Sequence, residues 1–82
     1  MITIKVLGPG CANCRKLEEV AHTAAGLAQV EADIVKVTDM QEIIAAGVLK
    51  TPGLLINGKL LSSGRIPAPG TVAEWIRAAA GS

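Results

Sequence analysis

The sequence predicts an α/β domain whose elements run βαβαββα, and three observations carry that reading. Ile2 to Leu7 alternates in the manner of a strand, with Ile2, Ile4 and Val6 on one side and Thr3, Lys5 and Leu7 on the other. A helical apolar repeat follows at once, and a second apolar strand, Ala32 to Val37, follows that. Further on, Asn57-Gly58 sits between two apolar runs, the strongest short-range hairpin signal. Two strands separated by a helix pair in parallel through a right-handed crossover, whereas a hairpin is antiparallel. The expected result is a four-stranded mixed sheet in the order 2-1-3-4, with the third strand antiparallel to the first and helices on its faces.

The remaining elements follow from local signals. Gly8-Pro9-Gly10 breaks the first strand, and from Ala12 the residues Cys14, Leu17, Ala21, Ala24 and Ala28 recur at helical spacing. Glu18, Glu19, His22 and Thr23 occupy the wetter face of that helix, and Gly26 weakens its end. Thr38-x-x-Gln41 and Asp39-x-x-Glu42 are overlapping capping boxes for a short second helix. Ile43 and Ile44 form its buried side, and Gly47 stops it. Leu54 to Ser62 reads as the hairpin, and Gly64 to Gly70 as a loop. Thr71-x-x-Glu74 caps a last helix with Val72, Ile76, Ala79 and Ala80 inside, while Gly81 and Ser82 fray.

Eighty-two residues fit one domain, 1–82, without repeat, linker or low-complexity segment. A chain of this size buries roughly 60–65% of its unfolded surface, so the core must be efficient. Half of the residues are apolar, but Phe and Tyr are absent and Trp75 is the lone aromatic. The core is therefore dense aliphatic packing. A net charge of +1 gives no basic footprint for nucleic acid, and one aromatic is no platform for stacked bases. No apolar run approaches the ~20 residues that span a bilayer, and the N-terminus is too short and alternating for a secretory signal. The expectation is a cytoplasmic monomer, or a mature form whose signal has been removed, engaging neither membrane nor nucleic acid. In a reducing compartment two closely spaced cysteines point to redox or metal chemistry rather than to a structural staple.

Gly10-Cys11-Ala12-Asn13-Cys14 carries that chemistry, because it joins the first strand to the first helix. At a helix N-terminus, free N–H groups and the helix dipole favour an anion, so Cys11 is placed to ionise. Cys14, one turn on, shares the apolar stripe of Leu17 and Ala21 and is the more buried. An exposed thiol that attacks and a sheltered thiol that resolves are what dithiol exchange requires. Arg15 and Lys16 read as solvated helix residues with a modest field at the thiols, and His22 as a surface residue. Arg65 reads as either loop structure or a contact for a partner at the active edge, and Trp75 as partly buried packing.

Thr51-Pro52 adds a second landmark. With it the chain resembles the thioredoxin superfamily in its minimal, glutaredoxin-like form, and more narrowly the small redox-active disulfide proteins of bacteria and archaea. The resemblance rests on Gly8-x-Gly10-Cys11-x-x-Cys14, Val37-Thr38-Asp39, Gly47-Val48, Thr51 through Gly58, and Gly64-Arg65-x-Pro67. It implies a thioredoxin-like fold and a thiol–disulfide oxidoreductase without a cofactor, working between a reductase and protein disulfides. It further implies that Pro52 is cis, opening a strand beside the disulfide. The backbone of Thr51 then pairs with a substrate segment in strand fashion. Cys11 and Cys14 are the expected catalytic pair, Thr51 and Pro52 the substrate-binding residues, and no metal site is assigned.

The departures from the superfamily pattern are specific. Gly10 stands where thioredoxin has Trp, Ala12-Asn13 replaces Gly-Pro, and Lys5 stands in place of a buried Asp. The acid of that family is not carried over, and Lys5 reads as a lysine reaching solvent from the sheet rather than one beneath the thiols. Ser62-Ser63-Gly64-Arg65 lacks the acid of a glutathione clamp, which argues against glutathione as the dedicated partner. Two other functions use the same cysteines. A soft-metal module would hold Cu(I) or Zn on the thiolate pair. Its βαββαβ topology and a Met before the first Cys do not match a chain ending in a helix with Gly8-Pro9-Gly10 at that place. A redox-sensing partner domain would form the disulfide without turnover.

Overall fold

The structure is a computed structural model that describes residues 1–81. Its elements are β1 (Ile2–Leu7), α1 (Ala12–Ala28), β2 (Ala32–Val37), α2 (Met40–Ala45), β3 (Gly53–Ile56), β4 (Lys59–Ser63) and α3 (Pro69–Gly81). The sheet order is β2-β1-β3-β4. β1 and β2 are parallel from Ile2↔Ala32 to Leu7↔Val37, and β3 is antiparallel to β1 from Ile4↔Ile56 to Leu7↔Gly53. This is the mixed sheet that the strand–helix–strand opening and the hairpin imply.

The period-2 pattern of β1 divides the core in two. Ile2, Ile4 and Val6 face a layer made by α1 and α3, where they meet Leu17, Val20, Ala21 and Ala24 of α1, Leu54 and Ile56 of β3, and Val72, Ala73 and Ile76 of α3. Alanines at the helix contact allow close approach, so aliphatic side chains fill this layer without aromatic bulk. Each fully buried Leu, Ile or Val contributes about 1.5–3 kcal/mol relative to exposure. On the opposite face Leu7, Val37, Ile43, Val48 and Leu55 form a smaller cluster under α2. Lys5 points to this second face and is exposed, so it does not lie beneath the cysteines.

Local chemistry explains the boundaries. Asn57 and Gly58 both have positive φ, 50° and 83°, as a two-residue hairpin turn demands. The turn is tied back to the sheet, because Thr3 N–H donates to Asn57 Oδ1 at 3.0 Å and Asn57 N–H donates to Thr3 O at 2.8 Å. β4 is an edge strand with a register irregularity opposite Leu54 and Leu55. Helix α1 runs through Gly26 and ends at Ala28, with the left-handed Gln29 as its cap. Asp39 caps α2 by accepting from Gln41 N–H, and Gly47 at φ 87° follows the helix end.

Several expectations about the helices are corrected. Ile44 is 66% exposed, whereas Ile43 is 1% exposed. Successive helical residues point about 100° apart, and a single short helix on a sheet buries only one of such a pair. Helix α3 begins at Pro69 rather than after Thr71, so Thr71 lies inside its first turn. A proline suits the first helical position, where its missing N–H is not needed, and Val72 N–H already donates to Ala68 O. Ala73 is buried and Ala80 exposed, because α3 packs against α1 as well as the sheet and buries a broader arc than one stripe. Gly81, expected to fray, is the last residue of α3, and Ser82 lies outside the described residues. Among the described residues no helix is long and apolar enough to cross a membrane.

Candidate active site

The adjacent central strands β1 and β3 bring the two sequence landmarks to one end of the sheet. β1 leads into the Gly8-Pro9-Gly10 turn and Cys11, while Thr51-Pro52 leads into β3, which runs the other way. The two loops therefore meet where Leu7 pairs with Gly53. A methyl group built on Gly8 would overlap Cys14 Sγ and lie 3.7 Å from Thr51 Cβ. The α-carbon of Gly8 is thus the floor between the cysteine pair and the Thr51 loop. Gly10, at φ 92°, supplies the left-handed residue that turns the chain into the helix.

Cys11 and Cys14 form a disulfide with their Cα atoms 5.0 Å apart, inside the usual range for such bridges. Cys11 is the N-cap of α1 and has extended backbone (φ −69°, ψ 169°). Its sulfur accepts a hydrogen bond from Cys14 N–H at 3.2 Å, so one of the unpaired donors of the first turn is aimed at Cys11 Sγ. The two sulfurs differ in access. Cys11 is exposed, whereas Cys14 is 6% exposed and packs on the first turn of the helix.

The Thr51–Pro52 peptide bond is cis, with Pro52 buried and Thr51 half-buried. The chain on either side is anchored to the end of β4. The hydroxyl of Ser63 donates to Lys50 O at 2.9 Å and accepts from Lys50 N–H at 3.4 Å, and Gly64 N–H donates to Pro52 O at 2.9 Å. Thr51 lies between these clamps, and among the described residues no hydrogen bond engages it. Its backbone is therefore free to pair with an incoming strand.

The other candidates separate cleanly. His22 is exposed and Trp75 is half-buried against the main core, as read from the sequence, and Arg65 is exposed in the loop after β4. Arg15 is not simply solvated, since its Nη1 donates to Gly10 O at 3.2 Å. Lys36, at the end of β2, reaches Glu18 Oε1 at 3.8 Å. Sequence reasoning missed Ser63 and Lys36 as neighbours of the site, and no local signal marks either, because both depend on strand pairing. Gly8 was legible as a strand breaker and as part of the motif around Cys11 and Cys14, but its contact with the Cys14 sulfur was not. No group of three or more His, Cys, Asp or Glu side chains is gathered for a metal among the described residues.

An α/β sheet of this order, with a C-x-x-C pair opening its first helix and a cis-proline strand beside it, defines a thioredoxin-like domain. A family model described as a thioredoxin domain matches residues 2–77. The chain is 38% identical over 66 residues to a thioredoxin of Methanothermobacter thermautotrophicus, covering 80% of this chain and 86% of that protein. It is 34% identical over 77 residues to a thioredoxin of Methanocaldococcus jannaschii, covering 94% and 88%. The chain belongs to the thioredoxin family, a family of disulfide oxidoreductases.

Proposed function

We propose that the chain passes two electrons from a reductase or a low-molecular-weight thiol to protein disulfides, with Cys11 as nucleophile and Cys14 as resolving thiol. The observation that carries this reading is the unequal environment of the two sulfurs: Cys11 is exposed and faces a helix N–H, and Cys14 is covered. Cys11 thiolate attacks one sulfur of the substrate disulfide, forming a mixed disulfide and releasing a substrate thiolate, which takes a proton. Cys14 then loses its proton to water and attacks Cys11 Sγ. The second substrate thiolate leaves and the Cys11–Cys14 disulfide closes. The reductant afterwards returns two electrons and two protons to the pair.

The Thr51 backbone supports the binding half of this reading, since its free groups stand beside the pair and can add one strand rung to a substrate segment. No cofactor takes part in the scheme, and the working unit is a cytoplasmic monomer. A redox titration of purified protein, with and without chelator, tests the class, together with turnover of a two-chain disulfide-linked protein under a thiol reductant. The expected result is a two-electron potential unchanged by chelator and reductive separation of the chains. Tight Cu(I) or Zn uptake by reduced protein without turnover would favour a soft-metal module, and a reversible disulfide without turnover a redox sensor.

A further inference from the structure

The sheet order leaves a second feature on the other side of the disulfide from Thr51. Because β1 lies between β2 and β3, the end of β2 flanks Gly8 on the side opposite Thr51. There a cleft of about 190 Å³ opens beside the pair, lined by Val6, Gly8, Cys14, Arg15, Lys36 and Thr38. Its floor is apolar and includes Cys14 itself. Its rim carries two cations and a hydroxyl, and among the described residues no carboxylate lines it.

The two cations differ. Lys36 is already engaged by Glu18 at 3.8 Å. Arg15 is held over the site by its bond to Gly10 O, the carbonyl just before Cys11, and among the described residues it has no carboxylate partner. That single bond leaves the other guanidinium N–H groups free to take an anion in bidentate fashion. The cleft adjoins Cys14, so a residue next to a half-cystine held on Cys11 comes within reach of it. The cleft's volume suits one side chain of the substrate.

We infer that the cleft between Cys14, Arg15 and Lys36 is a specificity subsite that receives an acidic side chain next to the half-cystine of a protein disulfide, with Arg15 as its anion-binding residue. The inference rests on the proposed disulfide exchange and adds a substrate class to it. The methylenes of a Glu cover the Val6 and Gly8 floor, and its carboxylate meets the free edge of Arg15. A Lys at the same place meets the like charge of Arg15, which no carboxylate offsets among the described residues.

The test is the rate at which reduced protein is oxidised by disulfide-linked peptides that differ only in Glu, Gln or Lys beside the half-cystine. Each rate is divided by that of dithiothreitol with the same peptide, which removes the intrinsic reactivity of the disulfide. A preference of about fivefold for Glu over Gln is expected at low salt, with Lys the slowest; it fades toward 1 M salt, where charges are screened within about 3 Å. In Arg15→Gln the Glu-to-Gln ratio falls to near one, and Arg15→Lys restores part of it. Equal corrected rates for all three peptides in the wild-type chain would overturn the subsite while leaving disulfide exchange standing. Failure of every peptide to oxidise the pair would overturn both. The wild-type peptide and salt series decides the matter even if Arg15→Gln does not fold.

Discussion

Gly8 is a glycine because Cys14 Sγ occupies the place its side chain would take. The turn that follows β1 and the first turn of α1 are therefore packed backbone against sulfur. Gly8→Ala forces one of them to move, a small-to-large change that costs about 1–3 kcal/mol. The overlap is with one atom, so Cys14→Ala in the same chain should remove most of the cost of the alanine. Denaturant unfolding of both single variants and the double variant, all measured reduced, gives the coupling. Additive effects would place the clash elsewhere.

The unequal sulfurs predict unequal chemistry. Cys11 in the reduced protein should react with iodoacetamide faster than Cys14 near neutral pH, because it is exposed and receives a helix N–H. Cys14→Ser should leave a mixed disulfide on Cys11 that persists and can be isolated. Cys11→Ser should capture no substrate and remain folded, since an exposed cap residue contributes little packing. Faster labelling of Cys14, with capture only by Cys11→Ser, reverses the assignment.

Ser63 predicts an effect on binding rather than on reactivity. Its hydroxyl holds both the N–H and the C=O of Lys50, the residue before Thr51. Ser63→Ala removes both hydrogen bonds and should loosen the edge that pairs with substrate. It should raise KM for a protein disulfide about threefold, equivalent to ~0.5–1 kcal/mol of the lost bonding reaching the binding step. Iodoacetamide should label Cys11 at the wild-type rate, and Ser63→Thr should restore KM. A change in labelling with KM unmoved would show that Ser63 acts on the thiols instead.

Stability should follow burial closely enough to rank two similar side chains. Leu17 is fully buried against β1 and α3, so Leu17→Ala should cost about 2–5 kcal/mol. Ile44 is apolar but 66% exposed, and Ile44→Ala should stay within about 0.5 kcal/mol of wild type. Thermal unfolding of the two variants makes the comparison directly.

What the sequence made legible was whatever repeats or is local. Alternation in β1, the Asn57-Gly58 turn and the Cys14-to-Ala28 helical repeat each determine an element without help from the rest of the chain. The cysteine pair was legible because its position before a helix is itself the chemistry. Ile44 and Thr71 were misread for a physical reason: a capping box and an apolar pair are local signals, and tertiary packing chose among them. The contacts of Ser63 with Lys50 and of Lys36 with Glu18 come from residues that strand pairing and helix packing bring together. Those of Gly8 and Arg15 lie within a few residues but depend on how the turn before α1 folds.

The pairing of Leu7 with Gly53 has a consequence for how activity reads out folding. A slip of one residue between β1 and β3 would turn every β3 side chain to the wrong face and carry Thr51 away from Gly8 at the same time. No intermediate register keeps the site while losing the core. Disulfide-exchange activity recovered during refolding should therefore rise in step with burial of Leu54 and Ile56, making the chemistry a clock for strand alignment.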